Sequence, residues 1–415
     1  MSSSLDSSLG RRFWQLWGSS TISNLADGMY RVSLPLIALH YTRSPTLIAL
    51  VTVLATLPWL LLALHAGAIA DRLDRRRIMV SANGLRLAAL ATFATSVALG
   101  IDSLWLLLVL ALIVGTGEVF FDGTAQSILP MLVERDQLGR ANGRLFAARE
   151  TMESFAGQAL GGVLVAVTVV AAVATPAALY GVSALILLLL AGHYRPHRGP
   201  ATTLRSDIAA GIAYLWRHRV LRTLAVMTGV MNLGSSAFMA VFVLYAVGPE
   251  SAMGLPEYAY GWLLMGTAAG SVLGALVTER LQAWLGRAQL LAATVVVSAL
   301  AKALPAATAN LLLVAAGFIS FGVGLMMWNV VAVSLRQRII PAELLGRVNS
   351  CYRLVAWGTL PLGALLGGLL AELLGLRGLF LASAASSLAL LVCFATLTER
   401  ALTAAEQDSP SSTQP

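Results

Sequence analysis

The sequence contains little charge for its length. Of its 415 residues, only 12% are Asp, Glu, Lys or Arg, whereas 58% are hydrophobic. A soluble protein carries about a quarter charged residues, and a chain this apolar does not have enough polar surface to face water on all sides. The composition therefore excludes a cytosolic enzyme, a nucleic-acid-binding protein and a disordered scaffold, and it indicates a membrane protein.

Cysteine, lysine and histidine are too few or wrongly spaced for common catalytic chemistry. The two cysteines, Cys351 and Cys393, suit neither a metal site nor a disulfide framework. Lys302, the only lysine, lies in an A-K-A-L-P segment and not in a phosphate-binding loop. The five histidines form no pair with metal-binding spacing. We therefore expect no enzyme activity, no metal and no cofactor, so that uphill transport would need an ion gradient, for which we expect protons, or another subunit.

Long apolar runs dominate the chain. A transmembrane helix needs about 20 apolar residues to cross about 30 Å of hydrocarbon. This length predicts twelve spans, at about 13–40, 46–70, 78–100, 104–129, 143–170, 174–192, 222–247, 258–280, 288–306, 309–334, 350–374 and 377–397. No cleaved signal peptide is expected before them.

The basic residues predict the orientation of these spans. Arginines cluster in the N-terminal stretch, in the central loop and in alternate short loops, whereas only Arg43, Lys302 and Arg377 are counted at the other side. Cytoplasmic loops accumulate Lys and Arg, so both termini are predicted to be cytoplasmic. The net charge of +8 is then a topology signal that faces anionic lipid, and no nucleic-acid partner is needed to explain it.

The two halves of the chain repeat one another. The segment LGRANG at 138–143 returns as LGRVNS at 345–350, and the glycines of 157–162 return at 363–368. Duplicated halves are typical of transporters whose substrate site lies near the membrane midplane. We predict a six-helix bundle at 1–192, a cytoplasmic linker with an amphipathic surface helix at 193–221, a second six-helix bundle at 222–397 and a disordered cytoplasmic tail at 398–415.

One loop motif carries a family resemblance. Residues 67–76, GAIADRLDRR, resemble the G-x-x-x-D-R-x-G-R-R signature of the major facilitator superfamily, with Asp74 in place of glycine. The segments at 16–28 and 125–150 resemble a bacterial branch that includes the enterobactin exporter and the macrolide efflux proteins. The resemblance implies an all-α integral membrane fold of twelve helices in two pseudo-symmetric bundles, located in the bacterial plasma (inner) membrane.

The resemblance also implies transport by alternating access, with a gate on the cytoplasmic side. The loop signature would form that gate, and its arginines would pair with acidic groups across it. Charged residues at the cytoplasmic edge of span five would also pair within the gate. The gate residues are then Gly67, Asp71, Arg72, Arg75, Arg76, Arg149, Glu150 and Glu153.

Polar and ionisable residues inside spans are the candidates for the transport cavity, because charges within lipid are costly and usually functional. Spans one and four each carry such residues on one helical face, and we expect Asp27 to pair with Arg31, four residues away. The predicted cavity residues are Asn24, Asp27, Arg31, Arg86, Glu118, Asp122 and Gln126 in the first half and Asn232, Trp328 and Asn329 in the second.

Two interpretations of these acids remain open. A carboxylate in a low-dielectric cavity can alternate between protonated and ionised forms, so Asp27, Glu118 or Asp122 could couple a proton to the movement of the halves. Alternatively, the charges form a static network that fixes helix packing.

The sequence favours a secondary exporter of amphipathic small molecules, such as a drug or a siderophore-like metabolite, driven by protons. An importer or a lysophospholipid flippase of the same fold is the alternative, and a non-transporting membrane sensor is a third. We expect a monomer in the lipid bilayer that binds a small-molecule substrate.

Overall fold

The structure is a computed structural model that describes residues 9–70, 72–195 and 204–407. Asp71 and residues 408–415 of the predicted tail lie outside the described residues, as do 196–203 of the predicted linker. Within these ranges the chain is helical, and its only β-type pairing is an isolated bridge between Val247 and Leu255.

The first half of the chain contains seven α-helices. Their bounds are α1 Arg11–Ala38, α2 Pro45–Ala70, α3 Arg75–Ala98, α4 Leu104–Ile128, α5 Leu138–Arg149, α6 Gln158–Val167 and α7 Val169–Leu188. A π-helical segment, Glu150–Gly157, joins α5 to α6, so the predicted fifth span is a single helical rod with a change of winding in its middle.

The second half also contains seven α-helices. They are α8 Leu204–Arg217, α9 Arg219–Ala246, α10 Glu257–Leu285, α11 Arg287–Ala307, α12 Leu311–Ile339, α13 Ala342–Ala389 and α14 Glu399–Gln407. Gly375 interrupts α13 with a φ of 73°, a conformation that glycine adopts without steric cost. The break divides α13 into two lengths, as the predicted eleventh and twelfth spans require.

Nine helices within the described ranges are long and apolar enough to cross a membrane, and α13 with its extension to Ala395 counts as one of them. Helix α1 and the stretch from α5 to α6 are not among the nine, and both carry the charged side chains described below. Twelve spans therefore stay a prediction.

Contacts divide the chain into two compact units. The first unit consists of Met1–Tyr41, Leu54–Gly199 and Glu257–Trp262, and the second of Thr42–Val53, Pro200–Pro256 and Leu263–Pro415. The core of the first unit contains Phe13, Leu16, Met79 and Phe121. This unit holds the functional candidates of α1, α3, α4 and α5–α6, whereas the predicted bundle boundaries at 192 and 222 stay predictions.

The chain after span twelve departs from the prediction of a disordered tail. Residues 399–407 form α14, whose Leu402 is fully buried in the core of the second unit. Arg287, the first residue of α11, binds Glu399 at 2.7 Å and Glu406 at 2.6 Å. The apolar face and these ion pairs order the helix, so the prediction was wrong for 399–407.

Candidate functional site

Asp27 is held in a closed polar site inside the first unit. Its Oδ1 accepts a hydrogen bond from the Tyr180 hydroxyl at 2.7 Å and lies 3.4 Å from Nη1 of Arg86. The same Arg86 nitrogen donates to Ser23 Oγ and Asn83 Oδ1, each at 3.3 Å. The Arg86 side chain is completely buried, and its guanidinium lies 4.9 Å from the centre of the Tyr180 ring. A buried charge needs such partners, and here α1, α3 and α7 supply them.

A second set of ion pairs connects α1 and α4 to the helical segment that contains Glu153. Arg31 contacts Glu118 at 3.0 Å and Glu153 at 2.6 Å. Arg149 contacts Glu153 at 2.9 Å and Asp122 at 3.1 Å. Glu153 is therefore the carboxylate that links the two arginines.

We call the Asp27–Arg86 pair and this second set of ion pairs together the acid–arginine network of the first unit, whose members are Asp27, Arg31, Arg86, Glu118, Asp122, Arg149 and Glu153. It contains four carboxylates and three guanidinium groups, so its charge is −1 when every member is ionised. An unbalanced charge within a low-dielectric interior is costly, and binding one proton would neutralise it.

The members of the network differ in exposure. The Arg31 side chain is 54% exposed and that of Arg149 is 30% exposed, whereas Glu118 is 16% exposed and Asp122 and Glu153 are 8% exposed. The Arg86 side chain, by contrast, is completely buried. The network can therefore exchange protons with its surroundings near Arg31 and Glu118, whereas the Asp27–Arg86 pair is closed off from them.

The π-helical segment places Glu153 within this network. Gly28 of α1 packs directly against the Glu153 backbone, and a Cβ on Gly157 would come within 2.7 Å of the Gly28 Cα. Only glycine permits backbones to approach this closely. π-Helical turns occur frequently at functional sites, and this one lies where α1 and the fifth span touch.

The predicted pairing of Asp27 with Arg31 is wrong. Asp27 and Arg31 do not pair, because Arg86 and Tyr180 from other helices surround the Asp27 carboxylate while Arg31 binds Glu118 and Glu153. Spacing along a helix permits a pair but does not create it when a neighbouring helix supplies a closer partner.

At span five, predicted gate residues and predicted cavity residues contact one another. Arg149 and Glu153, which we predicted as gate residues, join Arg31 and Asp122 through the ion pairs above. Glu150, the third acid or base predicted there, accepts a hydrogen bond from Ser154 at 3.3 Å. The sequence could not show this, because the location of a charge near a span end does not specify which way its side chain points.

The remaining predicted cavity residues are dispersed. Asn24 is buried on α1, and Gln126 is exposed on α4. In the second unit, Asn232 donates to the Ala356 carbonyl oxygen at 2.7 Å, the buried Trp328 donates to Thr228 at 3.1 Å, and Asn329 is exposed. Asn232 and Trp328 therefore take part in separate helix–helix contacts. Among the described residues, the ion pairs of the second unit join Arg287 and Arg338 to the α14 acids Glu399 and Glu406, and none includes a predicted cavity residue.

The loop signature is anchored to its own unit at one arginine. Arg76 donates to the carbonyl oxygens of Leu187 at 2.8 Å and Leu188 at 2.6 Å, at the end of α7. We expected the arginines of this loop to pair with acids, so for Arg76 the structure corrects the prediction: free carbonyls at a helix C-terminus attract a cation. Gly67 and Arg72 are exposed, and Asp71 lies outside the described residues.

The other two positions of the signature are buried. Arg75 donates to Met131 Sδ at 2.9 Å. Asp74, at the position where the signature has glycine, caps the N-terminus of α3 through the Arg77 backbone N–H and has a φ of −67°, so glycine is not required there.

Sequence reasoning also missed Lys302. We counted it among the basic residues of the outer side. The structure places it on α11, where it is 3% exposed, donates to Ser387 Oγ at 3.0 Å and lies 5.9 Å from the Phe321 ring centre. No carboxylate of the described residues forms an ion pair with it. Its apolar neighbours in the sequence were the available signal of burial.

Comparison with known proteins assigns the chain to a family. A family model described as transmembrane secretion effector matches residues 5–415. The chain is 30% identical over 380 residues to the multidrug efflux pump Tap of Mycobacterium tuberculosis, covering 86% of each chain. It is 28% identical to the multidrug efflux pump Tap of Mycolicibacterium fortuitum, with 86% and 88% covered, and 22% identical to macrolide efflux protein A of Streptococcus pyogenes, with 92% and 94% covered.

Solved structures agree with this placement at the level of the fold. The nucleoside transporter NupG superposes with a TM-score of 0.71 at 14% identity, with 93% of this chain and 98% of NupG covered. A bacterial homologue of the iron transporter ferroportin gives a TM-score of 0.71 at 18% identity, with 94% and 99% covered. The chain is a multi-pass membrane transporter with the major facilitator fold, and it belongs to the transmembrane secretion effector family of that superfamily.

Proposed function

We propose that the protein exports amphipathic, drug-like small molecules by alternating access in exchange for protons, in a bacterial inner membrane with both termini cytoplasmic. The names of the relatives support export, since Tap is a multidrug efflux pump and macrolide efflux protein A is an efflux protein. The observation that carries proton coupling is the surplus carboxylate of the acid–arginine network.

The pairing distances identify Glu118 as the surplus acid. Asp27 has Arg86, Asp122 has Arg149, and Glu153 lies 2.6 Å from Arg31. Glu118 must share Arg31 with Glu153, and it is the most exposed of the four acids. We therefore assign the exchangeable proton to Glu118 or to the Glu118–Glu153 pair acting together.

The exchange of a proton for cargo follows from the charge balance of the acid–arginine network. With one proton bound, the network is neutral and stable within a low-dielectric interior. When the proton leaves, the network gains one negative charge, which attracts a cationic or polarised cargo. Cargo and proton therefore compete, and a proton gradient shifts the balance between the two loaded forms.

Transport in reconstituted vesicles tests this proposal. Purified protein is incorporated into proteoliposomes loaded with ethidium, and dye release is followed with and without an imposed pH gradient. The proposal expects release to accelerate with the gradient in the wild type and to become independent of it in Glu118→Gln, because three acids and three arginines then balance.

The matched control is Glu134→Gln, which removes an exposed acid outside the network and should leave the gradient effect intact. If Glu118→Gln, Asp27→Asn and Asp122→Asn all retain gradient-driven release, proton coupling through the network is refuted. The direction of movement separates an exporter from an importer, since only an exporter lowers dye accumulation in cells that express it.

A further inference from the structure

A groove lies on the first unit between α3 and α4. Its volume is about 410 Å³, within the range of small-molecule sites. We call it the α3–α4 groove, and its lining residues used below are Asp74, Arg77, Ser81, Leu85, Phe120 and Arg195.

The floor of the α3–α4 groove is apolar and faces outward. Leu85 is 46% exposed, and Phe120 is half-buried. Thr116, a polar residue of the floor, donates its hydroxyl to the Leu112 carbonyl oxygen at 2.8 Å. An occupant therefore meets hydrocarbon along most of the groove and finds few free hydrogen-bonding groups there.

Both cations of the groove lie at one end. Arg77 and Arg195 are exposed, and neither side chain forms an ion pair within the part of the chain that the structure describes. The one carboxylate at this end, Asp74, is 5% exposed and accepts hydrogen bonds from the backbone N–H groups of Arg77 at 3.3 Å and Tyr194 at 3.1 Å. The groove thus has two free guanidinium groups at its mouth and an apolar floor behind them.

We propose that the α3–α4 groove binds one anionic phospholipid. Arg77 and Arg195 hold the headgroup phosphate through charge-assisted hydrogen bonds, for which guanidinium is well shaped, and an acyl chain lies along Leu85 and Phe120. A lipid fits better than a soluble anion because the floor belongs to two helices long enough to cross a membrane. The mouth lies beside the arginine-rich segment 72–77, which the proposed cytoplasmic orientation places at the leaflet that carries negative charge.

Native mass spectrometry of the full chain in detergent tests the site. The protein is incubated with equal amounts of phosphatidylglycerol and phosphatidylcholine of identical acyl chains, and bound lipid is counted. The wild type should bind phosphatidylglycerol at least fivefold in excess, and Arg77→Gln with Arg195→Gln should abolish this preference. Neutralising Arg217 and Arg219, two exposed arginines outside the groove, is the charge-matched control and should preserve it.

A second variant separates a built site from general attraction between charges. Ser81→Trp fills the groove without changing its charge, and it should reduce bound phosphatidylglycerol as strongly as the double arginine variant. Thr92→Trp, on the exposed face of α3 outside the groove, should have no effect. Retention of the lipid by Ser81→Trp, or by the double arginine variant, overturns the proposal, and so does its complete displacement by millimolar glycerol phosphate, which would indicate a site for the phosphate alone.

Discussion

Two buried cations in this protein have opposite surroundings. Arg86 in the first unit lies against the Asp27 carboxylate, whereas Lys302 in the second unit has one serine hydroxyl and an aromatic ring. Removing one partner of a buried ion pair leaves the other charge uncompensated, but removing a cation that has no acid leaves nothing behind.

The two cations should therefore respond differently to replacement by methionine. Arg86→Met should lower the free energy of unfolding by about 3–5 kcal/mol and clearly lower the thermal midpoint. Lys302→Met should leave the midpoint unchanged or raise it, because it removes a desolvated charge. Thermal unfolding of both variants in detergent measures the difference, and equal losses in the two variants would contradict this account.

At the scale of elements, the contact between α1 and the fifth span holds the network together. Gly28 and Gly157 let the two backbones touch, which positions the π-helical segment and Glu153. Helix packing through small residues is common in membrane proteins, but here it also sets the position of a carboxylate.

Adding a single methyl group at this contact should be disruptive. A Cβ at position 28 would overlap the Glu153 carbonyl oxygen, and backbone cannot move aside cheaply. Gly28→Ala should lower the thermal midpoint and the yield of folded protein. Gly18→Ala on the same helix has open space around it and should be neutral or stabilising, since alanine favours helices by about 1 kcal/mol. Identical behaviour of the two variants would show that the contact is not tight.

The stabilisation that helix α14 provides depends on pH. Burial raises the pKa of Glu399, but the Ala288 backbone N–H and the Arg287 guanidinium outweigh burial, so that the pKa is lower than that of an ordinary glutamate. Because the pKa of Glu399 is lower in the folded protein than in the unfolded chain, its ionised form stabilises the fold. This stabilisation is fully present at pH values above the pKa of the unfolded state, and it is lost as the pH falls through the pKa of the folded state.

The midpoint difference between wild type and Glu399→Gln should thus be largest near neutral pH and vanish in the acid range, at about pH 4 or below. Thermal unfolding at several pH values measures it, with Glu250→Gln, an exposed acid outside α14, as the control. A difference that grows toward acid pH would show that the Glu399 contacts do not stabilise the fold.

At the scale of the whole molecule, composition and apolar runs predicted the class, and the motif at 67–76 predicted the superfamily that the family match confirms. A motif and an apolar run are each read from a short stretch of sequence, and composition is a sum over all residues, so none of these features depends on how the helices pack. The predicted fifth span, 143–170, is interrupted by charge and by π-helical winding. It was predicted from its length but falls outside the nine helices that length and composition support among the described residues.

The site was predictable as a set of residues but not as a set of pairs. Asp27, Arg31, Arg86, Glu118 and Asp122 were singled out because charge inside a span is costly. Their partners depend on which helices are neighbours and how each is rotated, and no spacing within one helix contains that information. The Glu153–Arg31 and Tyr180–Asp27 contacts are the clearest cases, since each joins residues more than a hundred positions apart in the sequence.

The central claim is that the acid–arginine network carries one more carboxylate than it has arginines and exchanges a single proton with cargo. Counting protons released on cargo binding tests it most directly, with the purified protein in weakly buffered detergent, saturating ethidium and a soluble pH indicator. The account predicts that the wild type releases about one proton per bound dye at a pH where the network is protonated, and that Glu118→Gln binds dye without release. Dye binding by the wild type with no proton released, or equal release by Glu118→Gln, would contradict it.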